Sequence, residues 1–266
     1  NVTGGGGLTG TNKLYAAPAD GLTIGVVNGG GMVFNQVLDT PGVQFDLARM
    51  SWLGRIVAEP HVIGVGKSAP FYTIDDLQQA TRTIVFSATG MGSDDYLGAA
   101  VIAKALGFPL RQVVGFEGSS EANLAVIKGD VDGTETTLGT LLPLIKSRDI
   151  RPILQIALER SSQLLGVPTA LEVVSEDKKD MIVAITNTFA FGRSVGGPPG
   201  IPKARLRLLR EALDKVFHDN DFIQELEKRG RPVAPLGGEM MEQLIKDCMS
   251  AAEKIKPILK KAVEKK

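Results

Sequence analysis

The chain reads as an α/β protein with mixed, mainly parallel sheets flanked by helices, and three observations predict this. Short β-branched runs that end in small, polar or glycine-rich loops alternate with helical stripes along much of the chain, the pattern of strand–helix–strand units. The stretch 83–107, TIVFSATGMGSDDYLGAAVIAKALG, shows one such unit whole: strand, loop and capped helix in immediate succession. A length of 266 residues, 43% apolar and 23% charged, is enough for one large or two ordinary domains with real cores.

Composition excludes several classes. Lys plus Arg and Asp plus Glu both number 30, so the formal charge is zero and nothing basic invites nucleic acid or an anionic membrane. The sequence contains no run of about 18 apolar residues of the kind that crosses a bilayer. A single cysteine, Cys248, excludes an internal disulfide, and with only His61 and His218 beside it a zinc site is not expected. No metal, cofactor or internal repeat is expected.

In chain order, 22–28 (LTIGVVN) reads as a strand that opens onto Gly29, Gly30 and Gly31, with a short helix over 32–38. Residues 52–57 and 61–65 read as two more strands, with Trp52 and His61 as packing residues. Thr73 and Asp76 have the spacing of a capping box and start a helix. In the organising stretch, 83–86 is β-branched or aromatic at three of four positions and stops at Ser87. Ser93 is placed to cap the following helix by accepting from its first-turn amides. Asp94 and Asp95 suit the positive end of the helix dipole, and Gly107 suits a left-handed stop. Leu97, Ala100, Val101 and Ala105 share one face, read as inward. The loop between strand and helix, with its hydroxyls and backbone N–H groups, has the chemistry that receives a small anion; an ordinary βα turn would show the same residues.

Further along, 111–116 reads as a strand, 119–128 as a helix stopped by Gly129, and Val131 as a short strand followed by the polar run 133–137 (GTETT). Open parallel sheets bind ligands at such strand ends. Residues 150–157 read as a strand, a short acidic helix surrounds Glu172, and 181–191 fits either strand or helix. From Pro202 a helix carries the inward stripe Leu206, Leu209, Leu213, Val216 and Phe217. A helix over 222–228 stopped by Gly230, a short strand over 233–236 and a long helix from Met240 complete the chain. The long helix turns Met241, Leu244, Ile245, Cys248, Ala252 and Ile255 inward, Cys248 as a buried thiol, and Pro257 is expected to kink or end it before a basic tail over 260–266.

Three motif matches fail on context. Gly5, Gly7 and Gly10 fit the dinucleotide pattern, but that fingerprint needs a strand entering the loop and an acidic residue at the end of the next strand, and here no entering strand is seen. Gly66, Lys67 and Ser68 mimic the end of a phosphate-binding loop that needs glycine where this chain has His61. Gly192, Ser194 and Gly196 match a nucleophile elbow, with Asp214 and His218 downstream. An elbow must run straight into a helix, whereas 197–200 (GPPG) breaks the chain. Asp214 and His218 also stand one helical turn apart, too close to serve as separate arms of a triad.

The succession of 4–7 (GGGG), 17–21 (APADG), 87–93 (SATGMGS), 129–132 (GDVD), 167–169 (VPT) and 198–202 (PPGIP) resembles the periplasmic solute-binding proteins of tripartite tricarboxylate transporters over almost the whole chain. The resemblance implies a two-lobed type II periplasmic binding fold, with residues 1–67 and 190–266 in the first lobe and 68–189 in the second, closing on a small di- or tricarboxylate. It implies an exported, periplasmic monomer that presents its ligand to membrane permease subunits, and no enzyme activity. It places Thr89, Gly90, Gly92 and Ser93 around one ligand carboxylate and Asn28, Gly29 and Gly30 on the first-lobe side. Glu135 and Thr136 would rim the far side, where an acidic residue repels a dicarboxylate and selects an amine or hydroxyl. Arg193 is added as a fixed cation; an ion pair that stabilises the hinge is the other reading of it. Family members begin with a strand, a glycine-rich loop, a helix and a strand ahead of the position matching Asn1, so the expectation is a first lobe, and a first-lobe half of the site, incomplete on that side. Two other readings stand beside this one: an α/β enzyme acting on a carboxylate or phosphate ester with Ser93 or Ser194 as nucleophile, and a ligand-sensing accessory protein.

Overall fold

A computed structural model describes residues 1–229, 231 and 233–263, and it divides the chain into two compact units. One unit is Asn1–Glu59 with Thr188–Lys256, and the other is Pro60–Asn187 with Pro257–Lys266.

The first unit opens with a single 3-10 turn, Gly5–Gly7, and α1 (Leu8–Tyr15), followed by β1 (Gly25–Asn28), α2 (Gly29–Val37) and β2 (Ser51–Val57). α2 starts three residues earlier than the sequence suggests, so Gly29, Gly30 and Gly31 form its first turn and not a loop. Close approach explains the glycines: the Gly29 N–H donates to Gly192 O at 2.9 Å, and a Cβ on Gly29 would stand 2.5 Å from Phe191 Cβ.

The second unit carries β3 (His61–Gly66), α3 (Ile74–Gln78), β4 (Ile84–Ser87), α4 (Asp94–Leu106), β5 (Leu110–Val113) and α5 (Ser119–Lys128). It continues with β6 (Gly133–Thr137), α6 (Leu138–Lys146), β7 (Ile150–Ile156), α7 (Ala170–Val173) and most of α8 (Lys179–Phe189). The segment 181–191, undecided from sequence, is therefore helical to Phe189. Local chemistry sets the ends: Thr73 and Asp76 form the expected capping box at α3, Thr169 and Glu172 form another at α7, and Gly107 and Gly129 stop α4 and α5 at φ 82°. α4 is buried around nearly its whole circumference, Gly98, Ala99, Ile102 and Ala103 included. Its many small side chains let neighbours approach on faces that the expected single stripe leaves out.

The chain returns to the first unit with β8 (Arg193–Gly197), α9 (Lys203–Phe217), α10 (Asn220–Lys228), β9 (Leu236–Gly237) and α11 (Gly238–Val263), the last as far as Lys256. On α9, Phe217 is buried and Leu206, Leu209 and Leu213 are half-buried, but Val216 is 40% exposed and leaves the expected stripe. α11 runs through Pro257 without ending there. The expected stop at Gly230, the side chains of Ala252 and Ile255 and the tail beyond Val263 lie outside the described residues.

The expectation of mainly parallel pairing needs correction, since only the second sheet is mixed. The first sheet has order β1-β8-β2-β9 and its pairs are antiparallel. The second has order β5-β4-β6-β3-β7, parallel for β4 with β5 and with β6, antiparallel for β3 with β6 and with β7. The reason is placement: β4 to β7 share a direction, and the one reversed strand, β3, sits between two of them and turns both of its ladders antiparallel. Reversed β8 sits in the same way between β1 and β2.

Separate cores hold the units. In the first, Met32, Val33 and Phe34 of α2 are fully buried with Trp52 and Phe191, and Phe34 meets Phe189 edge-on at 6.2 Å. Trp52 is a packing residue, as read, its Nε1–H donating to Leu47 O at 2.8 Å. In the second, Val62, Val126, Leu141 and Ile150 anchor the layer under α5 and α6.

Candidate functional site

The expected residues fall into two sets, each within one unit. In the first, antiparallel pairing of β1 with β8 sets Asn28 opposite Arg193, and an Arg193 guanidinium N–H donates to Asn28 Oδ1 at 2.9 Å. Asn28 is also the residue before the first turn of α2. Asn28, Gly29, Gly30 and Arg193 are thus one cluster: a cation and the positive end of a buried helix. Gly192, next to Arg193, has φ 47° and lies so close to β2 that a Cβ would stand 1.8 Å from Val57 O. That contact fixes where the strand bearing Arg193 begins.

In the second unit, Thr89, Gly90, Gly92 and Ser93 form the loop between β4 and α4, as expected, but the groups are already engaged. The Thr89 N–H donates to Asp95 Oδ2 at 2.8 Å and the Thr89 hydroxyl to Oδ1 at 3.2 Å. The Ser93 hydroxyl shares its one proton between Gly90 O and Asp95 Oδ1, and accepts from the Gly90 N–H at 3.2 Å. Ser93 therefore makes no side-chain cap to the first-turn amides; its hydroxyl is held by the loop and by Asp95. Asp95 is 6% exposed. Burial pushes its carboxyl up to about 6, the neighbouring Asp94 adds to the rise, and the hydrogen bonds from Ser93 and Thr89 oppose it.

Glu135 and Thr136 need a different description from the rim positions expected of them. Both lie inside β6, 0% and 6% exposed. The run GTETT is itself the strand, because threonine fits a pleated surface and the one charged member has a partner. Glu135 pairs with Ile63 in register, with His61 two residues away on the same face. His61 Nδ1 lies 2.7 Å from Glu135 Oε1, and since a carboxylate only accepts, Nδ1–H is the donor. His61 Nε2 is 3.8 Å from Asp94 Oδ2. His61, read as a packing residue, thus joins a buried polar cluster beside the loop. No local signal marked it, because all five residues of β6 are buried and the run shows no alternation.

Neither serine of the enzyme reading is held by a histidine. Ser93 is engaged as described, and Ser194, fully buried in β8, donates to Phe191 O at 2.6 Å. His218 is exposed just past the end of α9, with Nδ1 2.8 Å from Asp214 O. Among the described residues no group of three or more His, Cys, Asp or Glu side chains could hold a metal, and no helix is long and apolar enough to cross a membrane. A groove of about 670 Å³ in the first unit, lined by Leu53, Leu206, Phe217 and Met240 among charged residues of α9 and α11, includes none of the candidate residues.

Comparison with known proteins bears on the family and the fold. Residues 1–263 match the model of the tripartite tricarboxylate transporter family receptor. A curated relative from Pseudomonas sp. (strain P51), the UPF0065 protein in the tcbD-tcbE intergenic region, is 25% identical over 252 residues, 92% of this chain and 71% of its own. Among solved structures, the periplasmic binding protein BugD superposes with TM-score 0.79 at 21% identity, over 99% of this chain and 86% of its own. R. palustris Rpa4515 with adipate gives 0.78 at 21%, over 98% and 84%, and MatC (Rpa3494) from Rhodopseudomonas palustris with bound malate gives 0.78 at 20%, over 95% and 85%. At these identities the structural likeness shows the fold, the α/β periplasmic binding fold with mixed sheets. The family match is what covers nearly every residue, and by it the chain belongs to the receptor family of tripartite tricarboxylate transporters.

Proposed function

We propose that this chain is an extracytoplasmic solute-binding protein that captures a small carboxylate and delivers it to the membrane subunits of a transporter, acting as a monomer and transforming nothing. The observation that carries this is the family match over residues 1–263; the adipate and malate held by two proteins of the same fold support the ligand class. The candidate contacts are Asn28, Gly29, Gly30 and Arg193 in the first unit and Thr89, Gly90, Gly92 and Ser93 in the second, with Glu135 and Thr136 supporting from β6. A carboxylate has a natural place at Arg193, where a planar cation adjoins a helix N-terminus. In the enzyme reading a serine must be activated, and the partners of Ser93 and Ser194 are carboxylate and carbonyl oxygens, sulfur and a backbone amide, not an imidazole.

The test is a thermal-shift panel of dicarboxylates from three to eight carbons, citrate, amino acids and aromatic acids. Ligand at one hundred times its dissociation constant stabilises by about 2.7 kcal/mol, so a true ligand raises the midpoint by several degrees. Arg193→Gln should weaken that ligand roughly tenfold to a hundredfold, the range for losing a hydrogen bond to a charged group. A folded chain that no carboxylate stabilises, or turnover of a carboxylate or phosphate ester abolished by Ser93→Ala, would overturn the proposal.

A further inference from the structure

The groove of about 670 Å³ between α9 and the start of α11 has no part in carboxylate capture, and every residue that lines it belongs to the first unit. Its floor is apolar and closed, with Leu53 and Phe217 only 2% and 4% exposed, and its lip is apolar and open, with Met240 65% exposed. A flexible thioether left in solvent above an apolar floor suits contact with another chain.

The charges along the groove are sorted. Lys203, Leu206, Arg207, Arg210, Asp214 and Phe217 lie at helical spacing on the face of α9 turned to the groove. Arg210, in the middle, is satisfied from within: its guanidinium donates to Trp52 O at 2.9 Å and to Glu242 Oε1 at 2.6 Å. Lys203 and Arg207 leave basic charge toward the N-terminal end, and Glu211 and Asp214 leave acidic charge toward the other. From Lys203 to Asp214 the helix rises about 16 Å. Neither end is neutralised. Arg207 meets Glu211 at 3.6 Å and Asp214 meets His218 at 3.8 Å, all four side chains exposed, and such pairs contribute little. Nor does helix stability account for the order, because the first turn of α9 holds Lys203 and Arg205 and no acidic residue, the reverse of what the helix dipole favours.

We propose that this groove docks an amphipathic helix of a partner protein, acidic along one half of its length and basic along the other. Apolar side chains at i, i+3, i+4 and i+7 enter the slot over Leu53 and Phe217. The acidic half lies against Lys203 and Arg207, the basic half against Glu211 and Asp214, and Met240 covers the apolar face. A two-fold contact between copies would match the charges too, since antiparallel α9 helices set basic halves against acidic ones. It would also set slot against slot, and two concavities leave each other unfilled.

The test is fluorescence anisotropy on the whole chain with three labelled helical peptides of about 18 residues, long enough to hold a helix. The first has the apolar stripe and the segregated charges, the second the same stripe with the same charges interspersed, and the third the segregated charges with alanine in place of the stripe. The first should bind at least tenfold more tightly than either control, and more weakly as salt rises. Met240→Asp should weaken it tenfold or more. Lys203→Glu combined with Arg207→Glu should turn the preference toward a peptide that has the stripe and is basic throughout. The three substituted positions are exposed, and an unchanged unfolding midpoint checks that each variant is folded. Equal binding of the interspersed or the stripe-free peptide, or no binding by any of them, overturns the proposal. So does dimerisation of the chain itself that Met240→Asp abolishes, which makes a second copy the occupant.

Discussion

Asp95 is held by neutral donors next to a second aspartate, and stability should register this. Its carboxyl titrates at about 6 in the folded chain and near 3.9 when unfolded. Between those values the folded state keeps a proton that the unfolded state has released, so stability falls as pH rises through this window and levels off above about 6. Asp95→Asn lacks this dependence. In urea titrations from pH 4 to pH 7 the natural chain should lose stability relative to the variant, and a constant difference would count against the burial argument. Glu172 behaves oppositely. Its bonds from Arg160, and then from the Thr169 N–H, hold its carboxyl down to about 2, so its contribution is full above the ordinary carboxylate range and disappears as pH falls through about 2. The gap in melting temperature between the natural chain and Glu172→Gln should therefore close on acidification, and shrink in high salt because the pair is exposed. Gly29→Ala drives a methyl into Phe191 and should cost about 1–3 kcal/mol, the range for overpacking.

Among elements, β7 supports the loop that follows it through one side chain. Gln155 is fully buried; its amide donates to Leu164 O and Val167 O, and its Oε1 accepts from the Ser161 N–H. Gln155→Leu leaves three backbone groups without that partner and should cost about 2–4 kcal/mol, with faster proteolysis within 158–168 as the local readout. What the sequence made legible follows the same logic. The stops at Gly107 and Gly129 and the box at Thr73 and Asp76 could be read because their chemistry lies within a few residues. β6 could not be read as a strand, since its polar run GTETT is tolerated in a buried sheet only because Glu135 meets His61, 74 residues away. The start of α2 was hidden because Gly29 answers to Phe191 and not to its neighbours. Of the site, the loop at Thr89 was legible, but its occupation by Asp95 was not, because residues suited to a helix dipole look the same whether they face solvent or turn back on the loop. Asn28 and Arg193 were each named, yet their pairing spans 165 residues and depends on the antiparallel β1–β8 ladder, which strand alternation alone does not reveal.

For the whole molecule, thirty basic and thirty acidic residues cancel, so electrostatic repulsion between copies is weakest near neutral pH. Solubility in polyethylene glycol titrations should pass through a minimum there and rise on either side; a minimum well away from neutrality would show that buried titrations shift the balance. The position of β8 has a further consequence, in time. β1 and β2 each pair with it, while the strands of the other sheet all come from the uninterrupted stretch Pro60–Asn187. Closing a long loop costs entropy before any contact repays it. During refolding, pulse-labelled amides should gain protection first in β3 to β7 and only later in β1, β2 and β8, and in a chain made from its N-terminus β1 and β2 wait for a partner that arrives more than a hundred residues later.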